Sequence, residues 1–317
     1  NKLNIAPQTV VHSRLKKSDI DDAISLKASW VGLFFDVSKN RLLTKYGLNE
    51  EKSLALINES ILYAKKNGLK IRFTAEDASR TDLDYLLKIG ELVEKAGADR
   101  FGFADTVGIL HPQKVSKVIT MLVDHLNIPI HVHFHNDFGL ATANALQAVQ
   151  SGASCVDVTV NGLGERCGIT SLAEITASLD ELLHLKNSWN FKVISSLSLF
   201  VDEITNKIDQ KIRPITGDNS FTHNAGLHAA SIIKDPSTYE SMSPEKFGQT
   251  RSIVIDKFSG KEALDYRIKK LGFNLPNEFL IQLLHVIKSK PDITKWTDEA
   301  LLSVIKSIQK KSVKKSS

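Results

Sequence analysis

Residues 69–105 read LKIRFTAEDASRTDLDYLLKIGELVEKAGADRFGFAD, two short β-type runs separated by one helical pattern. The runs 69–74 (LKIRFT) and 100–105 (RFGFAD) are rich in β-branched and aromatic residues, which is typical of strands. Between them, residues 82–97 place apolar side chains at helical spacing. A strand, a helix and a strand in this order predict a βαβ unit with parallel strands.

The same alternation extends from residue 8 to about residue 184 and gives six βα units in succession. Successive units of this kind place helices outside a parallel sheet. The remaining predicted strands are 8–13, 31–36, 130–135 and 155–160. The remaining predicted helices are 18–28, 53–68, 112–127, 139–152 and 170–184.

Two architectures fit six βα units, an open doubly wound sheet and a (β/α)₈ barrel. A dinucleotide-binding sheet is expected to carry G-x-G-x-x-G in a strand-to-helix turn, and the sequence has none. Polar side chains instead follow strand after strand, and in a TIM barrel all of them lie at the C-terminal face, where active sites sit. We therefore predict a TIM (β/α)₈ barrel of which six units are visible. These polar residues are Glu76, Asp77, Asp105, Thr106, His133, His135, Asn161 and Glu165.

Beyond residue 185 the βα rhythm stops. The pattern predicts a helix over 193–213, a loop over 216–230, and two helices with a tail over 275–312. We therefore divide the chain into a partial barrel, residues 1–186, and a mainly helical C-terminal region, residues 187–317.

The net charge is +5, from 41 Lys+Arg against 36 Asp+Glu. The excess lies in the last dozen residues, and we interpret it as a frayed basic tail rather than a nucleic-acid-binding arm. Two cysteines indicate a reducing compartment, and no apolar run approaches the roughly 18 residues of a membrane span. We expect a soluble, cytoplasmic protein with neither nucleic acid nor membrane as a partner. The terminal lysines are Lys306, Lys310, Lys311, Lys314 and Lys315.

The segment HVHFHND, residues 131–137, carries the strongest chemical signal. Alternate side chains of a strand share one face, so its three histidines lie side by side. Neutral imidazoles at this spacing are suited to bind one metal ion. His133 and His135, nearer the C-terminal end, are the better metal ligands, and we expect a packing or hydrogen-bonding role for His131.

Three further segments contain candidate ligand-binding or catalytic residues. The glycines of 161–170 (NGLGERCGIT) allow a tight loop near a ligand. In 71–82 (IRFTAEDASRTD), Glu76 stands just past a strand end, and Asp77 or Ser79 is expected to cap the next helix. The segment 221–239 (FTHNAGLHAASIIKDPSTY) places two histidines and a tyrosine outside the barrel.

Together, HFHND, NGLGER, FTAEDASRTD and FADTVG resemble the DRE-TIM metallolyase family in its Claisen-condensing branch, which contains 2-isopropylmalate synthases and homocitrate synthases. GERCGIT is similar to the GER-x-GIT of homocitrate synthases, where isopropylmalate synthases usually read GERAGN. ITGDNSFTHNAGLHA resembles their ITG-x-x-x-F-[ST]-H-K-A-G-[IM]-H, and PSTY follows at the family's spacing. The resemblance covers nearly the whole chain.

The resemblance assigns roles to individual residues. It implies a divalent metal (Mg²⁺, Mn²⁺, Zn²⁺ or Co²⁺) on His133 and His135, and it places the acid–base loop in the C-terminal region. Thr74 replaces the usual Ser and Asn224 replaces the usual Lys. The implied acid–base residues are Glu76, His228 and Tyr239. The implied residues for 2-oxoglutarate are Arg72, Thr74 and Thr106, with Arg41 for its distal carboxylate.

The implied reaction condenses acetyl-CoA with 2-oxoglutarate and hydrolyses the thioester, giving homocitrate and CoA in lysine biosynthesis by the aminoadipate route. A homodimer with shared active sites is implied as well. A 2-isopropylmalate synthase, a related 2-oxo-acid condensing enzyme and a non-catalytic paralogue remain alternatives.

The chief departure of the sequence from the family is an absent motif. An RDGEQ-type motif, which carries an acidic metal ligand and an arginine, does not occur in the 317 residues. With six strands visible, we expect two βα units of about 60 residues upstream of Asn1, including the third metal ligand. We therefore expect this chain alone to be inactive.

Overall fold

The computed structural model describes residues 8–313 except 207–210, 225, 291 and 294, and it leaves out the side chains of 226–229 and 310–313. The chain divides into two compact units between Leu185 and Lys186.

The first unit is built on a six-stranded parallel sheet whose strands pair in sequence order. Each strand lies within two residues of its predicted start. A doubly wound sheet reverses its strand order at a switch point, and this sheet does not, so its order is that of a barrel. The strands are β1 (Val10–Arg14), β2 (Trp30–Asp36), β3 (Lys70–Glu76), β4 (Arg100–Asp105), β5 (Ile130–Phe134) and β6 (Cys155–Val156).

The helices of this unit alternate with its strands, as the periodicity predicts. They are α1 (Lys17–Ser25), α2 (Lys39–Arg41), α3 (Glu50–Lys66), α4 (Leu83–Lys95), α5 (Pro112–His125), α6 (Ala141–Gln150) and α7 (Leu172–Glu181). The short α2 continues into a π-turn, Leu42–Tyr46, and neither was predicted.

Alternation along the strands separates an apolar face from a polar face. Ile71 and Phe73 of β3 are completely buried in the core that the helices cover. Arg72 and Thr74, between and after them, point to the opposite face and form the polar interior of the sheet. The strands thus hold the polar residues in place through a hydrophobic layer on their other side.

Two local predictions for this unit were wrong. The cap of α4 is Asp82, whose carboxylate accepts from the N–H groups of Asp84 and Tyr85, and not Asp77 or Ser79. The strand predicted over 155–160 ends at Val156, and a 3₁₀ turn, Val160–Gly162, in which Asn161 has a left-handed backbone (φ 64°), occupies the end of the predicted range.

The second unit is mainly helical around its own apolar core. The helix predicted over 193–213 ends at Thr205, followed by a left-handed Asn206 (φ 52°), and residues 207–210 lie outside the described part. The loop predicted over 216–230 contains a strand and the start of a helix. The elements are α8 (Ile194–Thr205), β7 (Thr222–His223), α9 (Gly226–Lys234), β8 (Ser252–Ile253), α10 (Lys261–Lys270), α11 (Asn277–Lys288) and α12 (Asp298–Val313).

The basic C-terminus begins as helix rather than as a frayed tail, since Lys306 lies within α12. Residues 314–317 are outside the described part. A helix long and apolar enough to cross a membrane was not found in the described residues.

Replacing Phe73 by alanine tests the apolar layer beneath the polar face. Phe73 is completely buried, so we expect Phe73→Ala to lower the free energy of unfolding by about 3–5 kcal/mol. The matched control is Phe138→Ala, whose ring is 73% exposed, with an expected change within about 0.5 kcal/mol. Urea unfolding followed by circular dichroism measures both, and equal losses would contradict this assignment of the core.

Candidate active site

The carboxylate of Asp157 joins three basic side chains on the polar face of the sheet. Its Oδ1 lies 2.8 Å from His131 Nε2 and 3.4 Å from Arg72 Nη1, and its Oδ2 lies 3.1 Å from His133 Nδ1. Arg72 Nη2 lies 2.9 Å from His12 Nε2 of β1. Four strands or their extensions therefore contribute to one polar cluster.

Charge and burial shift the pKa values of this cluster in opposite directions. Burial alone would raise the pKa of Asp157, but the hydrogen bonds from His131 and His133 lower it well below its usual range. Burial would lower the pKa of His131, and the bond to Asp157 raises it instead. The arrangement holds Asp157 as an anion beside a buried imidazole and guanidinium.

His133 and His135 form a donor pair that suits part of a divalent-metal site. Their ring centroids are 5.0 Å apart. Burial, then the neighbouring His133, lowers the pKa of His135, which favours the neutral imidazole that metals bind. When His133 Nδ1 carries the proton it donates to Asp157, which leaves Nε2 as the ligand atom, the usual outer-shell arrangement of metal-binding histidines.

The pair is only part of a metal site. Within the part of the chain that the structure describes, three or more His, Cys, Asp or Glu side chains do not come together in a metal-binding group. The acidic ligand expected upstream of Asn1 stays a prediction.

Arg72 and Thr74 present donors that the described residues leave unused. Arg72 Nε and Thr74 Oγ1 are both buried and without a hydrogen-bond partner there. A buried polar atom without a partner is costly, so such atoms point to a polar ligand. The two side chains lie on the same face of β3, two residues apart.

Two glycines keep the space beside these donors open. Gly102 pairs with Thr74 in the sheet, and a Cβ on Gly102 would lie 2.6 Å from Thr74 Oγ1. Gly32 pairs with Arg72, and a Cβ there would lie 3.2 Å from Arg72 Nη2. Glycine inside a strand is typical of a site where a ligand or backbone approaches closely.

Glu76 ends β3 on the same face as Arg72 and Thr74. Burial raises its pKa, and the negative charge of Asp36 raises it further. A carboxyl group with a raised pKa is suited to exchange protons near neutral pH. Glu76 therefore has the environment of an acid–base residue.

Arg41, predicted to bind the distal carboxylate of the substrate, is held by two buried carboxylates. Its Nη1 donates to Asp36 at 2.5 Å, and its Nε lies 3.4 Å from Asp77. Asp36 also accepts from Lys45 at 2.6 Å and from Tyr46 at 3.0 Å. The substrate role of Arg41 stays a prediction.

Arg166 of the GER segment ties three sequence motifs together. Its guanidinium donates to both carboxylate oxygens of Asp137, at 2.6 and 2.8 Å, and to the carbonyl oxygen of Thr106 at 2.9 Å. Gly108 lies against the same carboxylate, since a Cβ there would be 2.5 Å from Asp137 Oδ2. HFHND, FADTVG and NGLGER thus meet at one carboxylate.

The glycines of the GER loop are required by close backbone approach. Gly168 has φ +86°, and a Cβ on it would lie 1.9 Å from the carbonyl oxygen of Gly162. That oxygen accepts from the N–H of Ile169 at 3.0 Å. The loop is therefore closed on itself by its main chain.

The remaining predicted acid–base residues belong to the second unit. His228 lies within α9, and its side chain is outside the described part. Tyr239 follows a short 3₁₀ helix, Pro236–Thr238, and is 51% exposed. The next residue, Glu240, accepts from Arg251 and from His223. These contacts anchor the segment that carries Tyr239.

Asp157, Gly32 and Gly102 were not predicted as site residues. A signal existed for each of them. Asp157 interrupts a β-type run with a charge, and both glycines lie inside predicted strands, where glycine weakens the strand unless the space is needed.

Comparison with known sequences places the chain in a family. The HMGL-like family profile matches residues 2–201, and the profile described as homocitrate synthase post-HMGL domain-like matches residues 215–295. A curated homocitrate synthase from Sulfurisphaera tokodaii is 43% identical over 310 residues, and one from Saccharolobus islandicus is 41% identical. Each alignment covers 96% of this chain and 66% of the relative, so the chain spans just under two thirds of their length.

Solved structures agree on the fold. An HMG-CoA lyase from Bacillus subtilis superposes with a TM-score of 0.57 at 19% identity, covering 63% of this chain and 71% of the other. An HMG-CoA lyase from Acinetobacter baumannii, in complex with coenzyme A and 3-methylmalate, gives 0.55 at 18%, covering 64% and 70%. The TIM-barrel prediction and the relationship to the homocitrate synthases of the DRE-TIM family are confirmed. The chain therefore belongs to the HMGL-like family.

Proposed function

We propose that the full-length protein is a homocitrate synthase, an acyltransferase that condenses acetyl-CoA with 2-oxoglutarate and hydrolyses the thioester to homocitrate and CoA. The unused donors of Arg72 and Thr74 beside the His133–Asp157 pair carry this proposal, because they suit an anionic 2-oxo acid next to a metal. The relatives named homocitrate synthase support it. We place the reaction in lysine biosynthesis by the aminoadipate route, in the cytoplasm.

The proposed 2-oxo-acid site uses Arg72, Thr74 and Thr106. Arg72 Nε and Thr74 Oγ1 would donate to substrate oxygens, which gives both buried groups the partner they otherwise miss. Thr106 Oγ1 accepts from the N–H of Asp77 at 2.8 Å and so keeps its own proton for donation. These donors stabilise negative charge in a buried setting, where hydrogen bonds to an anion are strongest.

We infer a divalent metal cofactor held in part by His133 and His135. Such an ion would supply Lewis acidity to the ketone of the 2-oxo acid. The protein's own part is to orient the ligands. Asp157 fixes the ring of His133 through Nδ1, and burial lowers the pKa of His135, which favours its neutral imidazole.

We assign acid–base work to Glu76, His228 and Tyr239, following the motifs that they match. The base removes a proton from the methyl carbon of acetyl-CoA, and the resulting enolate attacks the ketone carbon of the 2-oxo acid. Water then cleaves the thioester and releases CoA. A homodimer with shared active sites remains part of this proposal.

The first test measures CoA release by the full-length protein from acetyl-CoA with 2-oxoglutarate, and separately with 2-oxoisovalerate. We expect turnover with 2-oxoglutarate, its loss when a chelator removes the metal, and its recovery when a divalent ion is returned. Preference for 2-oxoisovalerate would contradict the proposed substrate, 2-oxoglutarate, but not the proposed condensation mechanism. Absence of release with either substrate would contradict the enzyme proposal.

Replacing Glu76 by glutamine tests the acid–base role. We expect Glu76→Gln to lower kcat by about 10²–10⁴-fold, because the amide cannot accept a proton. In the wild type, activity falls as the pH drops through the pKa of Glu76, which burial places above the usual carboxylate value. This acid limb should disappear in the variant. Glu91→Gln, on the exposed side of α4, is the matched control and should keep wild-type kinetics.

Replacing Gly102 by alanine tests the substrate pocket. The added methyl group would meet Thr74 Oγ1 at 2.6 Å, so we expect the KM for 2-oxoglutarate to rise about tenfold or more while the KM for acetyl-CoA stays close to wild type. Gly260→Ala is the control, because its Cβ meets only Glu262 Oε2 at 3.6 Å. An unchanged KM for 2-oxoglutarate in a folded Gly102→Ala protein would contradict the proposed role of Thr74 in substrate binding.

A further inference from the structure

Asp77 follows Glu76 directly at the end of β3, and its side chain is completely buried. Its backbone is left-handed, with φ 57° and ψ 30°. A residue other than glycine rarely adopts this conformation, and it persists only where surrounding contacts hold it. The contacts around Asp77 should therefore explain how this backbone conformation is held.

The carboxylate of Asp77 is bound from two sides. Ser38 Oγ donates to its Oδ2 at 2.5 Å. Arg80 donates through Nε to Oδ1 at 2.8 Å and through Nη2 to Oδ2 at 2.7 Å. Arg41 Nε lies 3.4 Å away. A buried carboxylate with this many donors is fixed in position, since a buried charge is costly unless it is paired and hydrogen-bonded.

The peptide group between Glu76 and Asp77 is also held on both sides. The N–H of Val37, after β2, donates to the carbonyl oxygen of Glu76 at 3.0 Å. The N–H of Asp77 donates to Thr106 Oγ1, after β4, at 2.8 Å. The turn that follows Glu76 is thus tied to both neighbouring strands.

Helix capping does not account for these contacts. Asp82 caps α4, and the side chain of Asp77 makes no capping hydrogen bond to the 3₁₀ turn Ala78–Arg80. The buried carboxylate instead holds the left-handed turn that ends β3.

We propose that Asp77 is a positioning residue for Glu76. Its carboxylate, held by Ser38 and Arg80, locks the left-handed turn and so fixes the direction in which the Glu76 side chain leaves the strand. The inference rests on the acid–base role proposed for Glu76. The carboxylate of Asp77 itself faces Ser38, Arg80 and Arg41.

Two variants, Asp77→Ala and Asp77→Gly, test the proposal in the full-length protein. Glycine adopts the left-handed backbone without strain, so a loss shared by both variants is due to the missing carboxylate. We expect kcat to fall about 10- to 100-fold in both, because small misplacements of a catalytic group are costly. The KM for either substrate should stay within about twofold of wild type.

The matched control is Asp82→Ala, five residues away in the same segment. It removes the cap of α4, so we expect a lower melting temperature with kcat unchanged. A kcat in folded Asp77→Gly equal to that of Asp82→Ala would overturn the proposal.

Two further measurements apply if the Asp77 variants do not fold. Ser38→Ala and Arg80→Ala each remove one side of the support, and we expect each to lower kcat at unchanged KM. Folded variants with wild-type kcat would overturn the proposal. Crystal structures provide a readout without turnover, in which displacement of the Glu76 carboxylate supports the positioning role and an unmoved carboxylate overturns it.

Failure of the proposed reaction can be distinguished from failure of the positioning role of Asp77. If the wild-type protein condenses another 2-oxo acid, the same comparison of kcat with that substrate still tests Asp77. If the wild type turns over no substrate, the proposed function fails first, and the Glu76 displacement between crystal structures alone decides the positioning role.

Discussion

The carboxylate of Asp157 is the interaction on which the polar face of the sheet depends. It lies among Arg72 of β3 and His131 and His133 of β5, and without it these basic groups would face one another in a buried space. The guanidinium of Arg72 and a protonated His131 would repel each other strongly where water is excluded. One anion therefore permits a proposed metal ligand and a proposed substrate-binding arginine to occupy the same small volume.

This polar volume is supported by two layers of different chemistry. Beneath it, completely buried aromatic and aliphatic side chains such as Phe73 hold the strands against the helices. Above it, at the strand ends, Asp36 and Asp77 neutralise a group of cations next to Glu76. The first layer fixes the backbone by packing, and the second fixes the loops by charge.

Most of the architecture could be predicted from the sequence because each strand and helix has the period that its burial demands. β4 was predicted with its observed bounds, 100–105. The end of β6 at Val156 was not predicted, and neither was the left-handed Asn161 in the turn that follows, because such a turn is a local event that periodicity does not reveal. The π-turn at Leu42–Tyr46 was missed for a related reason, since it is held by side chains reaching Asp36, a contact that depends on the tertiary fold.

The site was predictable only in part. Motif spelling pointed to His133, His135 and Glu76, which carry recognisable chemistry of their own. It did not point to Asp157, whose importance comes from partners on other strands. It also gave Asp77 a capping role that belongs to Asp82, because capping and anchoring carboxylates look alike in a sequence. Burial distinguishes the two roles, since the anchoring Asp77 is buried and the capping Asp82 is exposed.

The glycines beside Arg72 and Thr74 make the width of the proposed pocket a property of the main chain. At Gly32 and Gly102 there is no side chain left to remove, so single substitutions at these two positions can only narrow the space. Variation there would restrict the range of acceptable acids and could not extend it to bulkier ones. An evolutionary route to larger substrates would have to pass through the loops at the strand ends instead.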